Sequence, residues 1–148
     1  MTEPWTESAL ERLRAAKGRR GGARRAVVAF LGRQECCLSA QEIHDGMRAK
    51  GPRVGLASVY RALEGLDELG LVQRVDFGDG VSRFEPADPR GDHHHHLVCD
   101  DCGKVEPFED PALEAALERV AGGRGYDVAA HDVVVRGACE DCRAQPET

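Results

Sequence analysis

His93-His94-His95-His96-Leu97-Val98-Cys99-Asp100-Asp101-Cys102, answered far downstream by Cys139-Glu140-Asp141-Cys142, is the stretch on which the reading of this chain turns. Each C-x-x-C unit brings two thiolates to one ion, so Cys99, Cys102, Cys139 and Cys142 make a full tetrahedral four-sulfur set. Soft thiolates with no water position favour a closed, structural Zn2+ site. The chain from the first knuckle to the second is then a zinc-stapled domain. The histidines stand beside that scaffold as ligands for a second, exchangeable metal. The run is internal and abuts a knuckle, unlike an expression tag.

If the histidine run is extended, alternate side chains face opposite ways, pairing His93 with His95 and His94 with His96. Four histidines therefore suggest two sites. Each pair needs ligands from elsewhere, and the candidates are Glu85, Cys36 or Cys37, Glu114 and His131. A lone histidine is more often a packing residue than a ligand, and His44 is read that way.

A chain of 148 residues holds one ordinary core or two small ones, and small domains often need a metal staple. No apolar run reaches membrane-spanning length, and Met1-Thr2-Glu3-Pro4-Trp5 lacks the basic-then-apolar order of a secretory signal. A cytoplasmic protein with no membrane partner is expected. In a reducing compartment, paired C-x-x-C units are metal ligands rather than disulfides. The net charge of −6 divides unevenly: residues 1–90 carry 15 Lys/Arg against 13 Asp/Glu, and residues 91–148 carry 5 against 13. From Arg12 to Arg33 there are eight basic residues and no acidic one. Such a run suits a solvated face, or contact with phosphates.

Ahead of the histidines, Ala23 to Leu31 reads as a helix with Ala26, Val27, Phe30 and Leu31 on one face. Ser39 and Glu42 form a capping-box signature for a second helix, which carries Ile43 and Met47 inward and stops at Gly51-Pro52. A third helix is expected from about Ala57 to Leu69, with Val59, Leu63, Leu66 and Leu69 at core spacing and Gly70 ending it. Leu71 to Phe77 and Val81 to Phe84 are strand-like, turning at Gly78-Asp79-Gly80. Three helices and a hairpin give a winged helix-turn-helix, whose third helix enters the major groove. Its exposed face would carry Ser58, Tyr60, Arg61 and Glu64.

The second part reads as a strand (His94 to Cys99), knuckle, strand (Val105 to Phe108), helix (Pro111 to Ala121), strand-rich Tyr126 to Ala138, and the second knuckle. The expected class is α+β: a winged-helix DNA-binding domain at 1–85, a Pro/Gly hinge at 86–92, and a metal-binding dimerisation domain at 93–148.

The chain resembles the ferric uptake regulator (Fur) family of metal-responsive repressors. The resemblance rests on Ser39-Ala40-Gln41-Glu42-Ile43, Gly55-Leu56-Ala57-Ser58-Val59-Tyr60-Arg61-Ala62-Leu63, Gly70-Leu71-Val72, and His93 through Val105. It implies a homodimer, metal-dependent binding to double-stranded DNA at palindromic operators, and DNA contact by Tyr60, Arg61 and Arg24. It implies structural zinc at Cys99, Cys102, Cys139 and Cys142. A hinge sensing site would take Glu85, His94, His96 and, where iron sensors commonly carry histidine, Cys37. Asp88 or Asp92 are alternatives to Glu85. A second regulatory site would take His93, His95, Glu114 and His131, with His95 where iron sensors often have aspartate.

Both departures move the sites towards nitrogen and sulfur, which suit zinc. A zinc uptake regulator subtype is therefore expected, repressing zinc-uptake genes, with Fe2+ as the other ion for the regulatory sites. The rivals are a ferrous-iron, nickel or peroxide sensor of the same family and, from another class, a zinc-dependent hydrolase built on the histidines. The last lacks an H-E-x-x-H motif.

Overall fold

The computed structural model describes residues 3–16, 22–50, 53–87 and 94–144. The chain divides into two compact units, residues 1–92 and 93–148. The expectations at Lys17 to Arg20, Gly51-Pro52, Asp88, Asp92 and His93 lie outside the described residues.

The first unit contains α1 (Glu3–Ala15), α2 (Gly22–Leu31), β1 (Leu38–Ser39), α3 (Ala40–Lys50), α4 (Leu56–Glu68), β2 (Val72–Asp76) and β3 (Ser82–Pro86). Four helices thus precede the hairpin, not three. Helix α1 is strongly charged, and only Trp5, Ala9, Leu10 and Leu13 give it an apolar stripe. Its place is set by tertiary contacts. Trp5 Nε1 donates to the Leu71 carbonyl at 3.0 Å, and Arg12 Nη2 donates to the Leu69 carbonyl at 2.7 Å. The Leu69 carbonyl sits where α4 ends and would otherwise lack a helical partner, while the Leu71 carbonyl also accepts the Ala87 N–H at 3.0 Å.

Helix α3 begins with the expected capping box: Glu42 N donates to Ser39 Oγ at 3.1 Å, and Ser39 N donates to Glu42 Oε1 at 3.0 Å. Helix α4 ends in a Schellman turn. Gly70 takes φ +70, its N–H reaches the Asp67 carbonyl, and Leu71 N–H reaches Leu66. Leu66 and Leu71 are both buried, fastening the turn to the core. That core gathers Val27, Val28, Leu31, Ile43, Val59, Leu63 and Leu66 with Trp5 and Phe84. Gly46, inside α3, lets Phe30 approach; a Cβ there would stand 2.4 Å from the ring.

The sheet of this unit has the order β1-β3-β2, antiparallel throughout. β1 pairs Leu38 with Phe84 and Ser39 with Arg83. A two-residue strand lies below what alternation reveals in a sequence. The hairpin turn is closed by Asp79, whose carboxylate accepts from Val81 N–H and from Arg83.

The second unit contains β4 (His95–Cys99), β5 (Val105–Phe108), α5 (Pro111–Gly123), β6 (Val134–Gly137) and α6 (Glu140–Ala144). Its sheet has the order β5-β4-β6, with β4 antiparallel to β5 and parallel to β6. Of the strand-rich stretch expected over 126–138, only β6 is strand. Helix α5 starts at Asp110, whose side chain accepts from Ala112 and Leu113 N–H, with Pro111 in its first turn. Among the described residues, no helix is long and apolar enough to cross a membrane.

Because the indole combines a buried ring with one hydrogen bond, two substitutions separate its roles. Trp5→Phe is expected to cost about 1 kcal/mol, the net worth of a hydrogen bond. Trp5→Ala should cost about 3–5 kcal/mol through the cavity left. Urea midpoints of the two variants check this, and equal midpoints would mean that α1 contributes only its polar contact.

Candidate metal centres and nucleic-acid interface

The four knuckle cysteines come together in the second unit, their sulfurs all within 4.8 Å of one another. The first knuckle follows β4 and the second follows β6, neighbours paired in parallel, so both arrive at one end of the sheet. Gly103 takes φ +79 and its N–H returns to the Cys99 carbonyl, turning Cys102 back over Cys99. Cys99 Sγ accepts backbone N–H groups from Cys102 (3.4 Å) and Cys139 (3.3 Å). Led by the Cys102 N–H, these hydrogen bonds lower the Cys99 thiol to about 6. Contact with the Cys139, Cys102 and Cys99 side chains pushes the Cys142 thiol up. Four thiols this close do not all ionise without a cation among them. The donor set fits Zn2+ in both chemistry and spacing.

The histidines separate as alternation requires. His95 and His96 are both buried on β4, and the rings of His94 and His96 meet edge-to-face with centroids 4.8 Å apart. On the other face, His95 Nε2 lies 2.5 Å from Glu114 Oε1, and His131 Nε2 lies 2.5 Å from Glu114 Oε2. Desolvation works to raise the Glu114 carboxyl, but the hydrogen bonds from the two histidines outweigh it and hold the group below its usual value. His95 Nδ1 accepts the Val133 N–H at 3.2 Å. A neutral imidazole has one N–H, so this bond assigns the proton of His95 to Nε2, facing Glu114. One ring nitrogen each of His95 and His131 and a Glu114 carboxylate oxygen lie within 4.8 Å of one another, a group that could hold a metal ion. His93, the fourth residue expected there, lies outside the described residues.

In the first unit, the sulfur of Cys36 lies within 4.8 Å of the Glu85 carboxylate. Where the sequence led to Cys37, the structure groups Cys36 with Glu85. Cys37 is turned inward, 4% exposed, with its sulfur 3.8 Å from that of Cys36. The hydrogen bond with Cys36, burial and the Glu85 charge push the Cys37 thiol up. Glu85 itself is buried on β3. His44 is on α3, its Nδ1 3.6 Å from the Asp45 carboxylate.

The residues expected at DNA sit on one outer surface of α4. Tyr60 is 50% exposed, Arg61 and Glu64 are exposed, and Arg61 Nη2 donates to Ser58 Oγ at 3.1 Å. Arg24, on α2, lies across α4 at Gly65, where a Cβ would stand 2.6 Å from its guanidinium. Gly65 explains how an arginine of the second helix reaches α4. The spacing Arg24…Gly65 was not readable in sequence, since both residues have ordinary helical neighbours.

A family profile described as "Ferric uptake regulator family" matches residues 16–136. A ferric uptake regulation protein of Bacillus subtilis is 38% identical over 120 residues, 80% of each chain. One of Escherichia coli K12 is 38% identical over 108 residues, 72% of each. The solved structure of the Helicobacter pylori ferric uptake regulator, described as having three functional metal binding sites, superposes with a TM-score of 0.81 at 30% identity. It covers 96% of each chain.

Loss of one knuckle thiolate tests the structural centre. Cys99→Ser should release the zinc bound by the four cysteines and unfold the second unit, read by metal content and by circular dichroism. A folded variant that retains its zinc would remove the structural assignment.

Proposed function

The chain belongs to the ferric uptake regulator family, and from that premise we propose that it is a Zn2+-responsive repressor of zinc-uptake genes, binding palindromic operators as a homodimer. Members of the family are metal-responsive transcriptional regulators that bind DNA as dimers, and they are not enzymes. The hydrolase that the histidines allowed is set aside on that ground. A repressor acting on bacterial operators works in the cytoplasm.

The donor set carries the zinc reading. The first unit offers a thiol and a carboxylate together, Cys36 and Glu85, and the second offers the paired imidazoles of His94 and His96. A thiolate beside imidazoles suits zinc, whereas an iron site more often keeps carboxylates and histidines. Fe2+ is the second reading, supported by the names of the relatives. Glu85, a thiolate of Cys36 or Cys37, His94 and His96 would hold the ion. A further ion would be held by His95, Glu114 and His131, which come together on one side of the sheet, with His93.

Dimerisation is supported by how little the second unit buries. Helix α5 has no buried residue, and Leu97, Val120, Tyr126, Val128 and Val135 are exposed. An apolar surface of that extent on so small a unit is covered by a second copy. Side chains drawn to one sensing centre restrain the winged helix, so that two α4 helices meet successive major grooves about 34 Å apart. Tyr60, Ser58, Arg61 and Arg24 are the proposed DNA contacts.

Capture of genomic fragments by the protein at buffered low and high free Zn2+, repeated with Fe2+ anaerobically and with Ni2+, tests the reading. Palindromic fragments held only with zinc are expected. Capture with iron alone would reassign the ion, and none under any condition would overturn the DNA role. On a captured operator, Arg61→Ala should weaken binding and reduce the salt slope by about 1. His94→Ala should lose the zinc response yet keep the four-cysteine zinc; an unchanged response would place sensing elsewhere.

A further inference from the structure

Gly65 stands inside the last turn of α4, and a glycine in a helix weakens it relative to alanine. The backbone gives no reason for it. Gly65 does not take a positive φ, and its carbonyl accepts the Leu69 N–H at 3.2 Å in the ordinary helical manner. The reason lies in what fills the place of its side chain. A Cβ on Gly65 would stand 2.6, 2.7 and 2.8 Å from Nη2, Cζ and Nε of Arg24. Nearly equal distances from three consecutive atoms put the flat of the guanidinium, rather than one of its nitrogens, over the glycine.

Arg24 is half-buried in that seat, and among the described residues it makes no hydrogen bond or ion pair. Glu64 and Glu68 flank Gly65 on α4 and are exposed, yet neither pairs with it. Packing therefore fixes the guanidinium while its N–H donors stay uncommitted. A planar fork held this way loses little freedom when an anion arrives. Arg61 lies one turn before Gly65 on the same side of α4, so the seat brings a second cation to the stretch of helix that carries Arg61.

We propose that Gly65 is a positioning residue for DNA binding: by carrying no side chain it seats the Arg24 guanidinium on α4, one turn from Arg61, where it meets a phosphate. This deepens the DNA reading and rests on it. Arg24 makes the contact, and Gly65 acts through Arg24. A methyl group at position 65 would press on the far end of a flexible side chain, so the arginine gives way and the backbone does not. Alanine also favours the helix. DNA binding and stability are therefore expected to part company at this position, which a glycine with a merely structural role would not show.

The test measures binding of the full-length, zinc-loaded protein to a captured genomic fragment over a range of salt. The unaltered protein, Gly65→Ala, Arg24→Ala and the double variant are compared, with a urea midpoint for each. Expected in both single variants are an affinity lower by about 10- to 100-fold and a salt slope smaller by about 1, the worth of one charge-assisted phosphate contact. The double variant should be no weaker than Arg24→Ala, because the two residues act as one device. Gly65→Ala should keep or raise the urea midpoint. Unaltered affinity and slope in Gly65→Ala beside a weakened Arg24→Ala would overturn the seat and spare the arginine contact. Additive losses in the double variant would also overturn it, as would a Gly65→Ala protein that does not fold. Unaltered slopes in both single variants would remove Arg24 from the DNA surface and the seat's role with it. No binding by the unaltered protein would remove the DNA reading itself.

Discussion

The second unit depends on four sulfurs brought together at one end of its sheet, a set that one cation would fill. Its sheet has three strands, and only Val98, Cys99, His95 and His96 among its described residues are well buried. An interior of that size does not outweigh the conformational entropy of ordering the chain. The knuckles close the sheet at one end, and backbone N–H groups already point at Cys99 Sγ as they would at a thiolate. Metal-binding free energy is folding free energy in such a case.

That staple also sets the phase of the histidines. Cys99 ends β4, so fixing Cys99 fixes which face each preceding residue takes, because side chains alternate along a strand. His95 and Glu114 then meet on one side, and His94 and His96 pair on the other. A slip of one residue would exchange the two sets and dismantle both. The four-cysteine cluster thereby sets the geometry of the histidine donors from the far end of the same strand.

The four cysteines, the capping box of Ser39 and Glu42, the core spacing of α4 and the division of the histidine run were all readable, because each is a short-range pattern with a fixed period. What escaped was long-range. Helix α1 has too few apolar residues to announce itself, and it is held by Trp5 and Arg12 reaching carbonyls more than fifty residues away. Strand β1 is two residues long and exists because β3 pairs with it. Which of two adjacent thiols sits with Glu85 depends on where that short strand begins. The Val133 N–H that reaches His95 Nδ1 comes from 38 residues on, a contact no local pattern shows.

The separation of folding metal from sensing metal gives the proposed switch its range. The first unit has its own apolar core from Trp5 to Phe84, and the second has its four-cysteine centre, so neither needs the regulatory ion to fold. Free energy of binding at the regulatory donors is then available for coupling rather than for ordering the chain. A coupling of about 1–3 kcal/mol alters operator affinity by roughly 5- to 150-fold, and the operator tightens the ion by the same factor. A sensor that folded only on binding the regulated ion would instead respond as an unstable protein, losing its DNA-free dimer whenever the ion was scarce.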